Sequence, residues 1–574
     1  MDPALQELAD SGPSNQWVRA LLRRKAKNVR LPSYIREITR FGNISTIRIR
    51  RKDIKRTWSS KGVASLKAPR LLKLDDQNSG SEFIRPESIS RSSYRRPAGL
   101  KATGKGVVIG CLDWGLDFTH QAFRNSDGTT RIAAIWDQDP SKETPDFPAP
   151  KPWGYGRLIT RDDINRALLE KDPFKALNFK FDDRRRTKHA THVLDIAAGR
   201  QRGGYHGGIA PDSDLVFVQM RTDRGPRADL GDTVQLPEAI DFVHRIAGNR
   251  PCVINMSLGS HSSSHDGREL VSMMNDNFLK SNKNRMIVQS AGNYFKQNTH
   301  TFTQLFAGRS KTFDWQIDPR DSTMNELEFW YSNKDFVMLV VTPPNSTRAI
   351  NIPLGKSRSL YDRHGNRIMK AYHRAFDPNS PSHHIDVFVD PKFGSGNWSV
   401  KIRPLKILDG KIHGWIERDR FSYLQSRFSK SDSVTTTTLG SICNGFYPLV
   451  VGAAQTKIAN AEPAEFTSSG PTRDNRQKPD IAAPGFKVVA AGSKFVGGSN
   501  AAHNKSAVES GSSMASPYVA GLVACCMEVS SKPLSAMNIR KIIQYTAKKT
   551  HHPLRLGAGL INPVKAEKYV RRRY

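Results

Sequence analysis

The reading of this chain turns on Gly511-Ser512-Ser513-Met514-Ala515-Ser516-Pro517 and the apolar, small-residue run behind it, Tyr518-Val519-Ala520-Gly521-Leu522-Val523-Ala524. A glycine lets the backbone turn tightly, the next residues open a helix, and the run has the apolar density of a buried helix. Such a turn sets Ser513 at a helix N-terminus. Backbone N–H groups there lack intrahelical partners and the helix dipole favours negative charge, so an oxyanion formed beside the serine would be stabilised. Read alone, the stretch is equally a serine N-cap. The rest of the chain decides between the two.

Working outward, Gly106-Val107-Val108-Ile109-Gly110-Cys111-Leu112-Asp113 is a short continuous apolar run ending in an acid. This is the pattern of a parallel strand covered on both faces, whose carboxyl end faces the functional crevice of an open α/β sheet. His189-Ala190-Thr191-His192-Val193-Leu194 opens a helical stretch, and Gly208-Ile209-Ala210-Pro211 leads into a strand from Leu215 to Met220. A helix is predicted over Pro237 to Ile246, followed by Val253-Ile254-Asn255-Met256-Ser257-Leu258-Gly259 and by Met286-Ile287-Val288-Gln289-Ser290-Ala291-Gly292-Asn293. The sheet resumes at Tyr447 to Ala453. Phe466 to Pro471 and Lys478 to Gly485 follow, and Gly557 to Pro563 closes the pattern.

In this order, these stretches resemble the subtilisin-like serine proteases (subtilases, peptidase family S8), over roughly 98–297 and 437–566. The resemblance implies an α/β fold, a parallel sheet flanked by helices in three layers, and a serine endopeptidase. It implies a triad of Asp113, His189 and Ser513 with Asn293 donating to the oxyanion. It also implies a substrate-binding wall of Ser257, Leu258 and Gly259, with Ala291 and Gly292 beside it. A serine hydroxyl needs a base to take its proton and a third group to orient that base. The order Asp, His, Ser is that of subtilisin, and the absence of the second glycine of GxSxG disfavours an esterase elbow. Ala190 departs from the family's glycine, adding a methyl where the helix starts against the cleft. His189 and His192, three apart, could also share a metal, but no HExxH arrangement or cysteine pair supports a zinc site. No metal site and no cofactor is expected. Calcium sites are common in the family, yet no acidic cluster identifies one.

Residues 1–76 read as an α+β module resembling a subtilase propeptide, with strands at Val18 to Leu22, Ile47 to Ile49 and Leu71 to Leu74. Helical stretches are predicted through Ile35, Ile38 and Phe41 and through Val63, Leu66 and Ala68. Residues 77–97 read as a linker that would hold the cleavage site of a propeptide. Thr160 to Leu169 carries a helix-capping signal, and the aromatics around Trp136 and Trp153 suggest a rim near the crevice. Residues 298–436 hold β-rich runs separated by Pro, Gly, Asn and Ser, which read as an inserted antiparallel sandwich that braces the catalytic domain. Some subtilases, including the clostridial germination-type group, carry a jelly-roll there. Residues 567–574 form a basic tail.

The formal charge is +34, from 88 Lys and Arg against 54 Asp and Glu, and +13 of it falls in the first hundred residues. Such charge could hold an acidic partner or nucleic acid, which makes a catalytically silent scaffold the alternative reading. No compact basic run with interleaved aromatics is present, so the expected partner is a protein or peptide substrate rather than nucleic acid. The five cysteines lie in or beside apolar runs without framework spacing, which fits a reducing compartment. With no secretory core and no membrane-length run, the expectation is a cytoplasmic protein without membrane association.

Overall fold

The computed structural model describes residues 1–74, 96–139, 144–179, 189–201, 207–220, 232–419, 422–455, 461–493 and 506–574. The expected linker and its cleavage site fall almost wholly outside them.

The N-terminal module comprises α1 (Pro3–Asp10), β1 (Trp17–Arg24), β2 (Arg36–Phe41), β3 (Ile44–Arg50), α2 (Ile54–Trp58), β4 (Val63–Lys67) and β5 (Lys73–Leu74). Its antiparallel sheet has the order β2-β3-β1-β4. Two expected helical stretches are strands, and the cause is the same in both. The register slips between Glu37 and Thr39, which makes Ile38 an extra residue in β2, and between Arg23 and Arg24 on β1, which makes Ala64 an extra residue in β4. A bulge breaks strict alternation, so residues three apart reach one face of a strand and imitate helical spacing.

The central sheet is built from β6 (Val108–Asp113), β7 (Ile132–Asp137), β8 (Arg157–Thr160), β9 (Asp214–Gln219), β10 (Cys252–Met256), β12 (Arg285–Ser290), β24 (Leu449–Gln455), β25 (Glu462–Pro463) and β26 (Ile481–Pro484). Its order is β25-β24-β12-β10-β6-β9-β7-β8, with β26 also on β24. The pairs among β26, β24, β12, β10, β6, β9 and β7 are parallel, and β8 and β25 run antiparallel at the edges. Every residue of β6, β10 and β12 is buried, which explains their continuous apolar runs. The associated elements are α3 (Arg161–Ala167), α4 (Pro173–Ala176), α5 (His189–Ala198), α6 (Gln235–Ala247), the two-residue strand β11 (Leu258–Gly259) and α7 (Leu270–Ser281). After the insertion come the hairpin β27 (Val488–Ala491) and β28 (Ser506–Glu509), α9 (Ser512–Val529), α10 (Ala536–Thr546), α11 (Pro553–Leu556) and α12 (Pro563–Arg573). The Thr160 capping signal is realised as a capping box with Asp163.

The insertion is a sandwich of two antiparallel sheets. One has the order β13-β22-β15-β20-β19-β18 and the other β17-β16-β21-β14-β23. These strands are β13 (His300–Gln304), β14 (Lys311–Ile317), β15 (Asn325–Ser332), β16 (Phe336–Thr342), β17 (Ile350–Ile352), β18 (Ser357–Tyr361), β19 (Arg367–Arg374), β20 (Ser382–Val389), β21 (Gly396–Lys406), β22 (Lys411–Ile416) and β23 (Arg427–Phe428), with the single turn α8 (Pro391–Gly394) between β20 and β21. Phe313, Trp315, Phe329, Tyr331, Ile385 and Trp398 help fill its own core.

The N-terminal sheet lies on α6 and α7. Arg48 pairs with Glu238 at 3.0 Å, and Asn277 donates to the Phe41 carbonyl at 3.2 Å. Trp136 and Trp153 do not form a rim. They are buried against Tyr155 and Phe242, and the Trp153 indole donates to Thr39 of the N-terminal module at 3.1 Å. The module also docks on the sandwich, where Lys67 lies 2.9 Å from Asp2 and 3.0 Å from Asp377, and Arg374 lies 2.8 Å from Asp377. Burial alone would raise both carboxyls, but Lys67 and Arg374 outweigh it and hold Asp2 and Asp377 below the ordinary range. Their contribution to stability is therefore fully present above about pH 3.9 and lost as the pH falls through their depressed folded values. Replacing Lys67 by Met leaves Asp2 buried without its ion-pair partner and Asp377 with Arg374 alone, and urea denaturation followed by fluorescence is expected to show a loss of about 3–5 kcal/mol at neutral pH that shrinks on acidification. An unchanged midpoint would remove Lys67 from the clasp.

Candidate active site

Asp113 is the last residue of β6 and is fully buried at the carboxyl end of the parallel sheet. Its Oδ1 accepts the Trp114 N–H at 2.7 Å, which fixes the carboxylate plane. His189 is the first residue of α5, and its Nδ1 lies 2.8 Å from Asp113 Oδ1 and 3.0 Å from Oδ2. The start of α5 is tied to the strand end by the Ala190 N–H, which donates to the Trp114 carbonyl at 3.2 Å. The Ala190 methyl is fully buried in the main core. His192 turns elsewhere: its Nε2 lies 3.0 Å from the Val488 carbonyl and 3.2 Å from that of Ala507, on the β27–β28 hairpin.

Ser513 is the second residue of α9 and is buried, with its Oγ donating to the Ser257 carbonyl at 3.5 Å. Asn293 follows the end of β12. Its Oδ1 accepts both the N–H and the hydroxyl of Ser512 at 3.0 Å, and the Ser512 Oγ in turn accepts the Gly292 N–H at 3.1 Å. Gly292 has φ +97°, a conformation that favours glycine, and this turn carries the chain from the strand end to Asn293. With Oδ1 held, the amide Nδ2 points toward α9. A Cβ added at Gly511 would lie 3.4 Å from Asn293 Nδ2 and 3.6 Å from the Ser513 N, so both donors border one space that only glycine leaves open. Two N–H donors converging beside a serine at a helix start can stabilise an oxyanion.

The wall of the cleft follows β10. Ser257 Oγ accepts from Asn255 Nδ2 at 2.9 Å, donates to the Ser513 carbonyl at 3.0 Å and lies 2.9 Å from Ser516 Oγ, locking this wall to α9. Leu258 and Gly259 form β11, which pairs antiparallel with Leu74 and Lys73 of β5. On its other side the same tail is held by residues 232 and 233: Thr233 N–H donates to the Arg70 carbonyl at 2.9 Å, and Leu71 bridges to Asp232. Ala291 is buried, and its carbonyl accepts the Gly440 N–H at 2.9 Å. Tyr294 is buried against His261 with ring centroids 4.2 Å apart.

The family model described as "Subtilase family" matches residues 104–304 and 426–559, the two halves of the central sheet and its helices on either side of most of the sandwich. The chain belongs to the subtilase family. Among curated relatives, it is 25% identical over 480 residues to a PII-type proteinase of Lactococcus lactis subsp. cremoris, covering 73% of this subtilase and 22% of that protein. It is 28% identical over 116 residues to the subtilisin-like protease SBT2.2 of Arabidopsis thaliana, covering 19% of this chain and 13% of the other. The chain thus spans under a quarter of the length of the curated relatives it matches. In fold it is similar to the Clostridium perfringens CspB protease, with a TM-score of 0.70 and 23% identity over 85% of this chain and 100% of that one. Fervidolysin from Fervidobacterium pennivorans, described as a keratinolytic enzyme related to subtilisin, aligns with a TM-score of 0.50 and 13% identity over 97% and 62% of the two chains.

The sequence did not single out Ser512, which holds the Asn293 amide, or the cleft side of residues 232–233. A second serine before Ser513 was visible, but its partner lies 219 positions away. Ser257→Ala is expected to lower subtilase stability by about 1–3 kcal/mol, because it leaves buried polar atoms of Asn255 and Ser516 without this partner. Thermal denaturation checks this, and an unaltered melting temperature would show that the wall and α9 are held by other means.

Proposed function

We propose that this subtilase is a serine endopeptidase in which Ser513 attacks the peptide carbonyl, His189 takes its proton and Asp113 orients the imidazole. The observation that carries the reading is the contact of His189 Nδ1 with both oxygens of Asp113 at the carboxyl end of the sheet, where α9 also starts. With Nδ1 committed to Asp113, Nε2 is the nitrogen left for the serine proton, and a rotation of Ser513 away from the Ser257 carbonyl supplies the attack. Asn293 Nδ2 and the Ser513 N–H receive the oxyanion. The protonated His189 then donates to the leaving amine, and water activated by the same base hydrolyses the acyl-enzyme.

Substrate is read as an extended strand added to Leu258 and Gly259, with Ser257, Ala291 and Gly292 as neighbours. Support comes from β5, which occupies that edge as an antiparallel strand. The N-terminal module is accordingly a propeptide whose tail fills the cleft, and the sandwich braces both. The complete set of Asp113, His189, Ser513 and Asn293 favours this over a silent scaffold that uses the basic N-terminus to bind an acidic partner.

Ser513→Ala is expected to abolish peptide hydrolysis and labelling by a serine-directed phosphonate while leaving the circular dichroism spectrum unchanged. Turnover by the folded variant would overturn the assignment. Asn293→Ala is expected to lower kcat by about 10²–10³ with little change in KM, the range that the equivalent type of donor contributes in subtilisin. A change confined to KM would place Asn293 in binding rather than at the oxyanion.

A further inference from the structure

Strands β15 and β20 of the sandwich pair so that Glu328 stands directly opposite Asp386 and Trp330 directly opposite His384. These four side chains share one face of the sheet, the face turned away from the sandwich core, which takes Leu327, Phe329, Ile385 and Val387 instead. In an isolated sandwich this face would meet water. Here Glu328, His384 and Asp386 are all fully buried beneath the N-terminal tail. Like charges directly opposite one another across a strand pair are destabilising, and burial makes them more so.

The acids of this cluster outnumber the cations that reach them. Arg70 of the tail reaches Glu326 at 2.9 Å and also pairs with Glu328. The neighbouring group is neutral within itself, since Lys67 and Arg374 face Asp2 and Asp377. Glu326, Glu328 and Asp386 therefore face one guanidinium. Neither oxygen of Asp386 has a hydrogen-bond partner, and neither does His384 Nδ1.

One ligand atom each from Glu328, His384 and Asp386 lies within 4.8 Å of the others. His384 Nε2 is 3.3 Å from Glu328 Oε2 and 4.0 Å from Asp386 Oδ2. The shorter separation is about the edge of a tetrahedron with zinc–ligand bonds of ~2.0–2.1 Å, and the longer closes with a small turn of the Asp386 side chain. The surroundings already orient the donors: the Trp330 indole donates to Glu328 Oε2 at 2.7 Å, and its ring stacks on His384 at 4.1 Å and 11°. Such outer partners fix the ligands of metal sites.

We infer that Glu328, His384 and Asp386 form a binding site for a divalent metal ion of the zinc type, which ties β15 to β20 beneath the Arg70 tail. The mixed imidazole and carboxylate donors select zinc over calcium or magnesium, which take oxygen ligands. The site is separate from the triad and its role is structural: it joins β15 and β20 where the tail crosses the sandwich.

The test uses the full chain carrying Ser513→Ala, stripped with a chelator and titrated with zinc chloride, with calcium chloride as the second arm. Elemental analysis after desalting is expected to show one zinc per chain, and a hundredfold excess over Kd to raise the melting temperature by about 5 °C. Asp386→Asn, nearly isosteric, and His384→Gln are each expected to weaken zinc binding by about 100-fold or more while the apo proteins keep the parent circular dichroism spectrum. Failure of the folded parent chain to retain zinc would overturn the site, a result that needs no variant to fold. Zinc retained undiminished by both variants, or calcium bound as tightly as zinc, would overturn it equally.

Discussion

The geometry of the cleft depends on how closely α9 approaches α5. Ser513 and His189 each stand at the beginning of a helix, so their relation is set by the packing of two cylinders rather than by a flexible loop. Gly521, in the middle of α9, makes the approach close. A Cβ there would sit 2.6 Å from the Ala197 carbonyl of α5 and 2.7 Å from Ile209 Cβ, against backbone that cannot yield. The same helix packs on β10, β12 and β24, so one buried segment fixes Ser513 relative to Asp113 through α5, to Ser257 through β10 and to Asn293 through β12. Its uninterrupted burial from Ser512 to Met527 is why the sequence there reads as apolar and small all round.

What the sequence disclosed followed from this burial. Strands β6, β10 and β12 are covered on both faces, so their residues form apolar runs whose ends mark the crevice, and Asp113 and Asn293 could be placed from the runs alone. The N-terminal module was less legible because bulges at Ile38 and Ala64 bring Ile38 with Phe41, and Val63 with Leu66, onto single faces of strands at a spacing that helices also use. In the sandwich, the aromatic and β-branched cores of β15, β16, β20, β21 and β22 stood out. The edge strands β18 and β23, short or polar, carried no such signal. Glu328, His384 and Asp386 were read past for a related reason. Alternation marks them as an outer face, and nothing local to β15 or β20 says that a tail from residue 70 will cover it.

That cover also decides how the three parts of the molecule depend on one another. The tail is held by backbone pairing at the cleft and by ionic contacts at the sandwich, and the two have different energetics. Strand pairing at Leu258 and Gly259 exchanges hydrogen bonds with water at little net cost, and a peptide of another sequence could take the place of Lys73 and Leu74 there. The contacts of Lys67 and Arg70 cannot be exchanged in this way. Removing Lys67 leaves Asp2 buried without its ion-pair partner, and removing Arg70 does the same to Glu326, a penalty that exceeds what the ion pairs contribute when intact. The tail is therefore exchangeable where it touches Leu258 and Gly259 and committed where it crosses Asp377, Glu326 and Glu328. Cutting the chain beyond residue 74 would free the cleft end without freeing the clasp, so departure of the module requires water to reach the buried acids of the sandwich first. The sandwich also touches the rest of the molecule directly, since Arg473 donates to Ser380 and Ser382 at 3.0 Å and Trp415 stacks on His265 with ring centroids 4.2 Å apart.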